Sequence, residues 1–421
     1  MARYIKESKK AVEQATIGVR EVVRDELQNI KENGEKAVRL LSEKFDGWNP
    51  ESFRVSQDEI HDAIKTLPET FKQDTQYCQN QVRAFAEAQL GSMAAFETEI
   101  QPGVHLGQKL IPLENVGAYV PGGRFPIVSS VQMSTIPPKV AGVERVIACS
   151  PAQNGEGIHP GVLYAMYLAE VDEIYSLGGI QAIGTMTYGI EGIQPVDFIV
   201  GPGNVFVAEA KRQVFGTVGI DQIAGPSENL IIADESADPE LIAADIWGQC
   251  EHDYQAITIF ITTSEALVTK VQDEMEKQVA ALDTAEVAQA SWERNGEVIL
   301  VKDKEEAVKV ANDYAIEHVQ IQAADLDYYL AHMKNYGSLF LGEETTVTYG
   351  DKGIGTNHIL PTGKAARYTG GLWVGKFLKT VTYQKCTREA SKKMAPTIAN
   401  QCRFEGMSAH AVTAELRAKK F

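Results

Sequence analysis

The sequence lacks the features of membrane, secreted and nucleic-acid-binding proteins. No apolar run approaches the roughly 18 residues that a membrane helix needs, and the N-terminal MARYIKESKK has no apolar signal-peptide region. The 40 basic residues are outnumbered by 57 acidic ones, which gives a formal net charge of −17. Nucleic acids and anionic membranes both attract basic patches. We therefore expect a cytoplasmic protein without a nucleic-acid or membrane partner.

Cysteine is scarce and forms no CxxC pair: the five residues are Cys78, Cys149, Cys250, Cys386 and Cys402. An odd, scattered set is neither a disulfide framework nor a thiolate zinc site. Since free cysteine is so often a small buried residue, we expect that role for most of the five.

The length and the residue pattern predict a multidomain α/β protein. A chain of 421 residues exceeds the roughly 250–300 that one core serves, so two or more domains are expected. Residues 8–90 have the three- and four-residue apolar spacing of helices. From about residue 108, short apolar runs such as RVIACS, DFIVG and NLIIAD alternate with helical stretches. This alternation predicts βαβ units and two parallel sheets.

Three glycine-rich turns follow predicted strands: YVPGGRFP, LGGIQAIGTMTYG and GPGNVFVAEAKRQ. Such a turn before a helix can bind a pyrophosphate through free N–H groups and the helix dipole. None of the three is GxGxxG, and no acidic residue stands convincingly about 20 residues further on. On spacing alone, ordinary tight turns are favoured over dinucleotide binding.

Polar residues cluster at four points of the chain. Gln249 and His252 are three residues apart on one helix face, which suits a chelate but also an ordinary helix end. The other clusters are Glu317 with His318, Asp351 with His358 in a glycine-rich loop, and Glu405 with His410. Glutamate and histidine suit proton transfer, and His, Asp and amide oxygen suit Zn²⁺. Four such clusters among only eight histidines favour a metal enzyme.

These stretches, in this order, resemble the histidinol dehydrogenase family. The resemblance covers nearly the whole chain and is most specific in VFVAEAKRQVFGTVGIDQIAGPSENLIIAD, QCEH, IEHVQIQ, GTNHILPT and EGMSAHA. It implies zinc and NAD as cofactors and a homodimer with shared active sites.

The resemblance also implies a role for individual residues. The implied zinc ligands are Gln249, His252, Asp351 and His410. The implied acid–base pair is Glu317 and His318, and the implied NAD contacts are Tyr119, Gln181 and Asn204. The implied substrate contacts are Ser129, Ser227, Gln249, His252, His318, Asp351, Glu405 and His410.

The fold that we expect from the resemblance is α/β, with two incomplete Rossmann-like domains. Residues 1–14 would form a helical N-terminal segment. Residues 15–120 and 227–370 would form the domain with the metal and catalytic residues, and residues 121–226 the NAD domain. Residues 371–421 would form a tail that crosses to the partner subunit, consistent with its low apolar content.

The implied reaction is oxidation of an alcohol through the aldehyde to the acid, with two NAD consumed. His318 would take the alcohol proton, and Glu317 would activate water to attack the aldehyde. A covalent route through Cys250 is the chemical rival, and it requires surroundings that stabilise a thiolate. A non-catalytic zinc-binding paralogue is disfavoured because both Glu317 and His318 are present.

The sequence departs from the histidinol-oxidising pattern by added cations. Lys364, Arg367, Lys376 and Lys379 follow the NHILPT stretch, and Arg124 stands in the first glycine-rich turn. Arginine suits oxyanions, whereas the cation histidinol gains nothing from positive charge. Arg124, Lys364 and Arg367 are therefore predicted substrate contacts. The chain is most similar to the divergent sulfopropanediol (2,3-dihydroxypropane-1-sulfonate) 3-dehydrogenase branch, with L-histidinol oxidation as the alternative.

Overall fold

The computed structural model describes residues 2–9, 16–122, 125–153, 155–223 and 225–421. Its strands are β1 (Arg3–Lys6), β2 (Phe96–Gln101), β3 (Val104–Pro112), β4 (Asn115–Tyr119), β5 (Arg145–Ser150), β6 (Glu173–Ser176), β7 (Phe198–Val200), β8 (Gly219–Ile220), β9 (Glu228–Ala233), β10 (Ile257–Thr262), β11 (Glu297–Leu300), β12 (His318–Gln322), β13 (Ser338–Leu341) and β14 (Leu378–Cys386).

The helices surround these strands. They are α1 (Thr16–Asn33), α2 (Glu35–Asp46), α3 (Gln57–Lys65), α4 (Glu69–Gly91), α5 (Val128–Ala141), α6 (Pro160–Leu168), α7 (Gly179–Tyr188), α8 (Val205–Val214), α9 (Pro239–Cys250), α10 (Glu265–Val279), α11 (Ala285–Asn295), α12 (Lys304–Tyr314), α13 (Leu326–His332), α14 (Val347–Lys352), α15 (Arg388–Phe404) and α16 (Ser408–Lys420). No helix in the described ranges combines the length and the apolar character needed to cross a membrane.

Two sheets with parallel strands confirm the predicted α/β class. One has five parallel strands in the order β6-β5-β4-β7-β8. The other has the order β1-β11-β10-β9-β12-β13, in which only the edge strand β1 is antiparallel. Numbered within each sheet, the parallel strands run 3-2-1-4-5, the order of a Rossmann sheet that lacks its sixth strand. The central strands are almost wholly buried, as expected of strands covered by helices on both faces.

The N-terminal part of the chain differs from the prediction. Residues 1–14 were expected to be helical, but Arg3–Lys6 form a strand that pairs with β11; residues 10–15 lie outside the described ranges. Residues 15–120 were expected to join residues 227–370. Instead β4 is the central strand of the five-stranded sheet, and α1 packs on α7 and α8. An amphipathic helix packs its apolar side on whichever apolar surface lies next to it. The composition of residues 15–120 did not reveal which of the two sheets that surface belongs to.

A third sheet connects the chain's tail to the rest of the molecule. It has the order β14-β3-β2, and β14 pairs antiparallel with β3 over nine residues, from Leu378 opposite Pro112 to Cys386 opposite Val104. The two helices that follow, α15 and α16, pack on each other around small residues: Ala395, Ala399, Ala411 and Ala414. Their outer faces carry exposed apolar side chains, among them Phe404 at 90% exposure.

The turn after β7 is fixed by a buried ion pair. The Lys211 ammonium donates to the Gly201 carbonyl oxygen at 2.7 Å and pairs with the Asp221 carboxylate. Asp221 also accepts from the Gly201 N–H at 2.9 Å. Both charged side chains are almost fully buried, and removing either one would leave an uncompensated charge. The pair therefore fixes the backbone that leads to Asn204.

A substitution of Gly201 tests how closely the turn after β7 packs against Tyr119. Its φ is +120°, and a Cβ at this position would lie 2.0 Å from the Tyr119 carbonyl oxygen. Gly201→Ala is expected to lower the apparent melting temperature by about 5–10 °C, because backbone atoms must move. Differential scanning calorimetry measures this shift.

Gly192→Ala is the matched control. Its φ is +77°, and no atom lies within 4 Å of the added Cβ. Only the backbone penalty of about 1 kcal/mol applies there. Equal melting temperatures for the two variants would show that close approach to Tyr119 does not limit stability.

Candidate active site

A cleft of about 240 Å³ lies between the two parallel sheets. One wall comes from residues that follow β4 and β7, at the carboxyl edge of the five-stranded sheet. The other comes from residues that precede β9 and β12, at the amino edge of the six-stranded sheet. The lining residues are Pro121, Ile127, Ser129, Ser130, Pro202, Gly203, Gly225, Ser227, His252, Glu317, His318, Asp351, Lys352, His358, Ile359 and Leu360.

Glu317 and His318 lie where the chain enters β12. Both are buried, and the Glu317 Oε2 atom is 3.5 Å from the His318 Nδ1 atom. Glu317 accepts a hydrogen bond from the Glu228 N–H at 2.9 Å, and His318 Nδ1 lies 3.1 Å from the Glu228 carbonyl oxygen. The start of β9 therefore fixes both side chains, and His318 Nε2 points toward Asp351 Oδ1 at 3.6 Å.

Asp351 lies at the end of α14 and faces two histidines. His252 Nε2 is 3.8 Å from Asp351 Oδ2, so Asp351 lies between His252 and His318. His358 returns to the same helix end, with its Nδ1 atom 2.8 Å from the Asp351 carbonyl oxygen. The loop between Asp351 and His358 thus folds back and fixes the aspartate.

The buried charges shift one another's pKa values. Burial raises the pKa of Glu317 to about 7, against the opposing effect of His318. Burial lowers the pKa of His318, but the negative charges of Glu317 and Asp351 outweigh it and raise that pKa to about 9. Burial raises the pKa of Asp351, but the neighbouring histidines hold it well below its usual range. Glu317 can therefore exchange a proton near neutral pH.

Helix α9 carries Asp245 and Gln249 and leads to His252. The predicted pair on one helix face is wrong, because α9 ends at Cys250 with Glu251 as its cap and His252 lies just beyond it. Gln249 lies in the last turn of α9. One turn earlier, Asp245 accepts hydrogen bonds from three side chains: Gln320 Nε2 at 2.6 Å, Gln322 Nε2 at 2.8 Å and Thr346 Oγ1 at 2.8 Å. Gln320 and Gln322 belong to β12, and Thr346 caps α14. This carboxylate therefore joins α9, which leads to His252, to the two elements that carry His318 and Asp351.

The donor atoms fit a divalent metal only in part within one chain. The Gln249 Oε1 and His318 Nε2 atoms are buried and have no hydrogen-bond partner, as expected of atoms that await a ligand. The Gln249 amide oxygen, with His252 and Asp351, is a donor set whose chemistry suits Zn²⁺. Across the described ranges, however, no group of three or more His, Cys, Asp or Glu is placed to hold a metal. The set fits zinc once a further ligand is supplied.

The predicted NAD contacts lie at the carboxyl edge of the five-stranded sheet. The Tyr119 hydroxyl accepts from the Gly179 N–H at 3.2 Å, at the start of α7. Gln181 Nε2 donates to Asp46 Oδ2 at 3.0 Å, and Asn204 Oδ1 accepts from two N–H groups at the start of α8. Nucleotides bind at this edge of such sheets, next to helix N-termini. Position and chemistry both fit a dinucleotide, although the GxGxxG spacing is missing.

Several predicted substrate residues do not line the cleft. Ser129 and Ser227 do, and the Ser129 hydroxyl is buried without a partner. Glu405 and His410 lie exposed on the tail helices of this chain. Lys364 and Arg367 are also exposed and are not among the lining residues, and Arg124 lies outside the described residues.

Cys250 lies in surroundings that disfavour a nucleophile. It is fully buried, and its Sγ atom lies 3.5 Å from Thr258 Oγ1. Burial raises its pKa to about 11. A reactive cysteine needs a lowered pKa and solvent access. The geometry therefore opposes the covalent route.

Two residues of the site were not singled out from the sequence. Asp245 precedes Gln249 by four residues, so helical spacing could have shown that it shares the face of the predicted ligands. Lys352 follows Asp351 directly and lines the cleft, whereas the sequence directed attention to Lys364 and Arg367. Sequence patterns gave no signal for which of these cations faces inward.

Known proteins that are similar to this chain agree on the family. The family model for histidinol dehydrogenase matches residues 8–418. A "Histidinol dehydrogenase homolog" of Shouchella clausii is 51% identical, with both chains covered completely. The histidinol dehydrogenase crystal structure from Elizabethkingia anophelis superposes with a TM-score of 0.92 at 33% identity, covering 98% of this chain and 94% of that one.

Relatives with more specific names include both activities at nearly equal identity. The "Sulfopropanediol 3-dehydrogenase" of Ruegeria pomeroyi is 42% identical over 99% of this chain and 96% of its own. The "Histidinol dehydrogenase" of Methanothermobacter thermautotrophicus is 41% identical over 95% of this chain and 94% of its own. Overall identity therefore does not decide between the two substrates.

The burial of Cys250 and the exposure of Cys386 predict that alkylation of the folded protein is selective. With iodoacetamide at pH 8, exposed Cys386 is expected to be modified and Cys250 to remain free in the folded protein, because Cys250 is both buried and protonated. Peptide mass spectrometry measures both positions, with urea-unfolded protein as the control in which both react. Modification of Cys250 as fast as Cys386 would reopen the covalent route.

Proposed function

The chain belongs to the histidinol dehydrogenase family of oxidoreductases, and from this premise we propose that it oxidises a primary alcohol through the aldehyde to the carboxylate. The proposed cofactors are NAD, two molecules per substrate, and Zn²⁺. The observation that carries the proposal is the buried Glu317–His318 pair, which faces Asp351 and His252 in the cleft below the predicted NAD edge.

The two residues of the buried pair have different proposed tasks. His318 is within reach of a substrate oxygen near Asp351, so it takes the proton from the alcohol. Glu317, with its pKa at about 7, takes a proton from the water that attacks the aldehyde. The hydrate that results has a C–H bond that can give up a second hydride. The Glu228 backbone holds both residues in place for these steps.

The remaining site residues hold the cofactors. Gln249, His252 and Asp351 would hold zinc, which when bound orients the substrate oxygen and offsets the Asp351 charge that raises the pKa of His318. Tyr119, Gln181 and Asn204 would contact NAD, which accepts the hydride. Asp46 orients the Gln181 amide by accepting its N–H, so that Oε1 is free to accept a hydrogen bond.

The substrate that we propose is sulfopropanediol, which is oxidised to sulfolactate. The nearly full-length similarity to a sulfopropanediol 3-dehydrogenase supports it. Its diol would bind at the metal, and its sulfonate would lie toward positive charge. L-Histidinol, oxidised to histidine, is the second candidate, and an equally similar relative supports it.

We further propose a homodimer in which the tail of each subunit completes the other's site. The tail lies on a sheet with β2 and β3 and exposes apolar side chains on α15 and α16, including Phe404 and Leu416. In this arrangement His410 supplies the zinc ligand that one chain lacks, and Glu405 contacts the substrate. Exposed apolar surface of this kind is typical of subunit interfaces.

The stoichiometry of the reaction tests the proposed chemistry. With zinc present, the wild-type protein is expected to form about two NADH per molecule of one sulfopropanediol enantiomer consumed. Glu317→Gln should slow the aldehyde step at least tenfold more than the alcohol step, since only the former needs a base for water. NADH absorbance and aldehyde trapping measure the two steps separately.

Two results would contradict the assigned roles. Equal losses in both steps would remove Glu317 from water activation. Two NADH from L-histidinol but none from either sulfopropanediol enantiomer would identify the second candidate as the substrate. Glu286→Gln, on an exposed helix outside the cleft, is the matched control and should leave both steps unchanged.

Mixed dimers test the shared site. His318→Ala and His410→Ala subunits should each be inactive alone, and after unfolding and refolding together they should regain about a quarter of wild-type activity. Random mixing makes half the dimers mixed, and each of these holds one intact site. Mass spectrometry of the native dimer confirms that mixing occurred. Mixed dimers without activity would place all catalytic residues in one chain.

A further inference from the structure

Lys352 differs from the other cations of the chain in its position. It ends α14 directly after Asp351, and among the described lining residues it is the only lysine or arginine. Lys352, Lys364 and Arg367 are all exposed, but of these three only Lys352 lines the cleft. Apart from the histidines, the positive charge among the described lining residues therefore comes from Lys352.

The backbone beneath this side chain is fixed. Buried Gln132 donates from Nε2 to the Lys352 carbonyl oxygen at 2.6 Å, and His358 Nδ1 lies 2.8 Å from the Asp351 carbonyl oxygen. Two successive carbonyl groups at the helix end are thus held by side chains from outside the helix. The Asp351 and Lys352 side chains consequently start side by side from a fixed corner of the backbone. A fixed corner that carries one anion and one cation can orient a small molecule with two different ends.

The ammonium is available for a ligand. It forms no hydrogen bond or ion pair with another described side chain. Its charge is nevertheless felt in the cleft, where it contributes, after burial, to lowering the pKa values of His252 and His358. The carboxylates of Glu317 and Asp351 serve the reacting end. An anionic group at the far end of a substrate would therefore be attracted to Lys352, and an ammonium group would be repelled.

We propose that Lys352 binds the anionic end of the substrate and sets the preference for a sulfonated alcohol over an amino alcohol. This inference rests on the proposed function, because it assumes that the reacting alcohol lies at Asp351. Negatively charged cofactor phosphates are the other anions that could reach this lysine. The effect of a Lys352 substitution on KM for NAD distinguishes binding of the substrate from binding of the cofactor phosphates.

Binding without turnover tests the inference apart from the reaction. Zinc-loaded protein without NAD is titrated calorimetrically with sulfopropanediol, its uncharged analogue 1,2-propanediol and L-histidinol. Lys352→Met should weaken sulfopropanediol binding about tenfold or more, as expected for loss of a charge-assisted hydrogen bond. It should leave 1,2-propanediol within twofold and strengthen histidinol binding. Lys352→Arg should retain sulfopropanediol binding, because the charge is kept.

A matched variant and kinetics complete the test. Lys309→Met, at an exposed position on α12 and outside the cleft lining, is the matched control and should leave all three affinities unchanged. In turnover, Lys352→Met should raise KM for sulfopropanediol while KM for NAD stays within twofold. A rise in KM for NAD, or equal weakening of the charged and uncharged diols, would overturn the inference. If the wild-type protein binds sulfopropanediol through Lys352 but forms no NADH, the proposed function fails and the anion site stands.

Discussion

The candidate site depends on one half-buried carboxylate that joins three elements. Asp245 on α9 accepts hydrogen bonds from Gln320 and Gln322 of β12 and from Thr346, the cap of α14. Each of these elements contributes to the site: α9 carries Gln249 and leads to His252, β12 begins with His318, and α14 carries Asp351 in its last turn. Charge-assisted hydrogen bonds of this kind are short and directional, and burial makes an unpaired carboxylate costly. The site geometry therefore follows from the packing of the core.

The two sheets use opposite edges, and the cleft lies between them. The five-stranded sheet presents its carboxyl edge, where helix N-termini suit a dinucleotide. The six-stranded sheet presents the amino ends of β9 and β12, where Glu228, Glu317 and His318 meet. A repeated sheet order thus supplies the edge at which we propose the nucleotide from one sheet, and the Glu317–His318 pair from the other. Burial between the two sheets explains the raised pKa of Glu317.

The charged residues around this cleft fall into an inner group and an outer group. Glu317, His318 and Asp351 form a closely coupled group, in which each shifts the pKa of its neighbours. Lys352 lies beyond Asp351, and the tail residues Glu405 and His410 lie outside the chain's own cleft. Chemistry common to a family can therefore be kept in the inner group. Substrate preference can change at the outer positions without disturbing it.

The sequence by itself determined the family, the α/β class, the alternation that gives two parallel sheets, and the short motifs that carry Glu317, His318 and Asp351. These are local patterns of a few residues, and their chemistry is written in residue type and spacing. Only the tertiary structure decided that β1 is a strand, that α1–α4 pack on the helices of the five-stranded sheet, and that Lys352 rather than Lys364 or Arg367 lines the cleft. Those outcomes depend on which apolar faces meet and on how a loop folds back, and no local pattern specifies contacts between residues far apart in the chain.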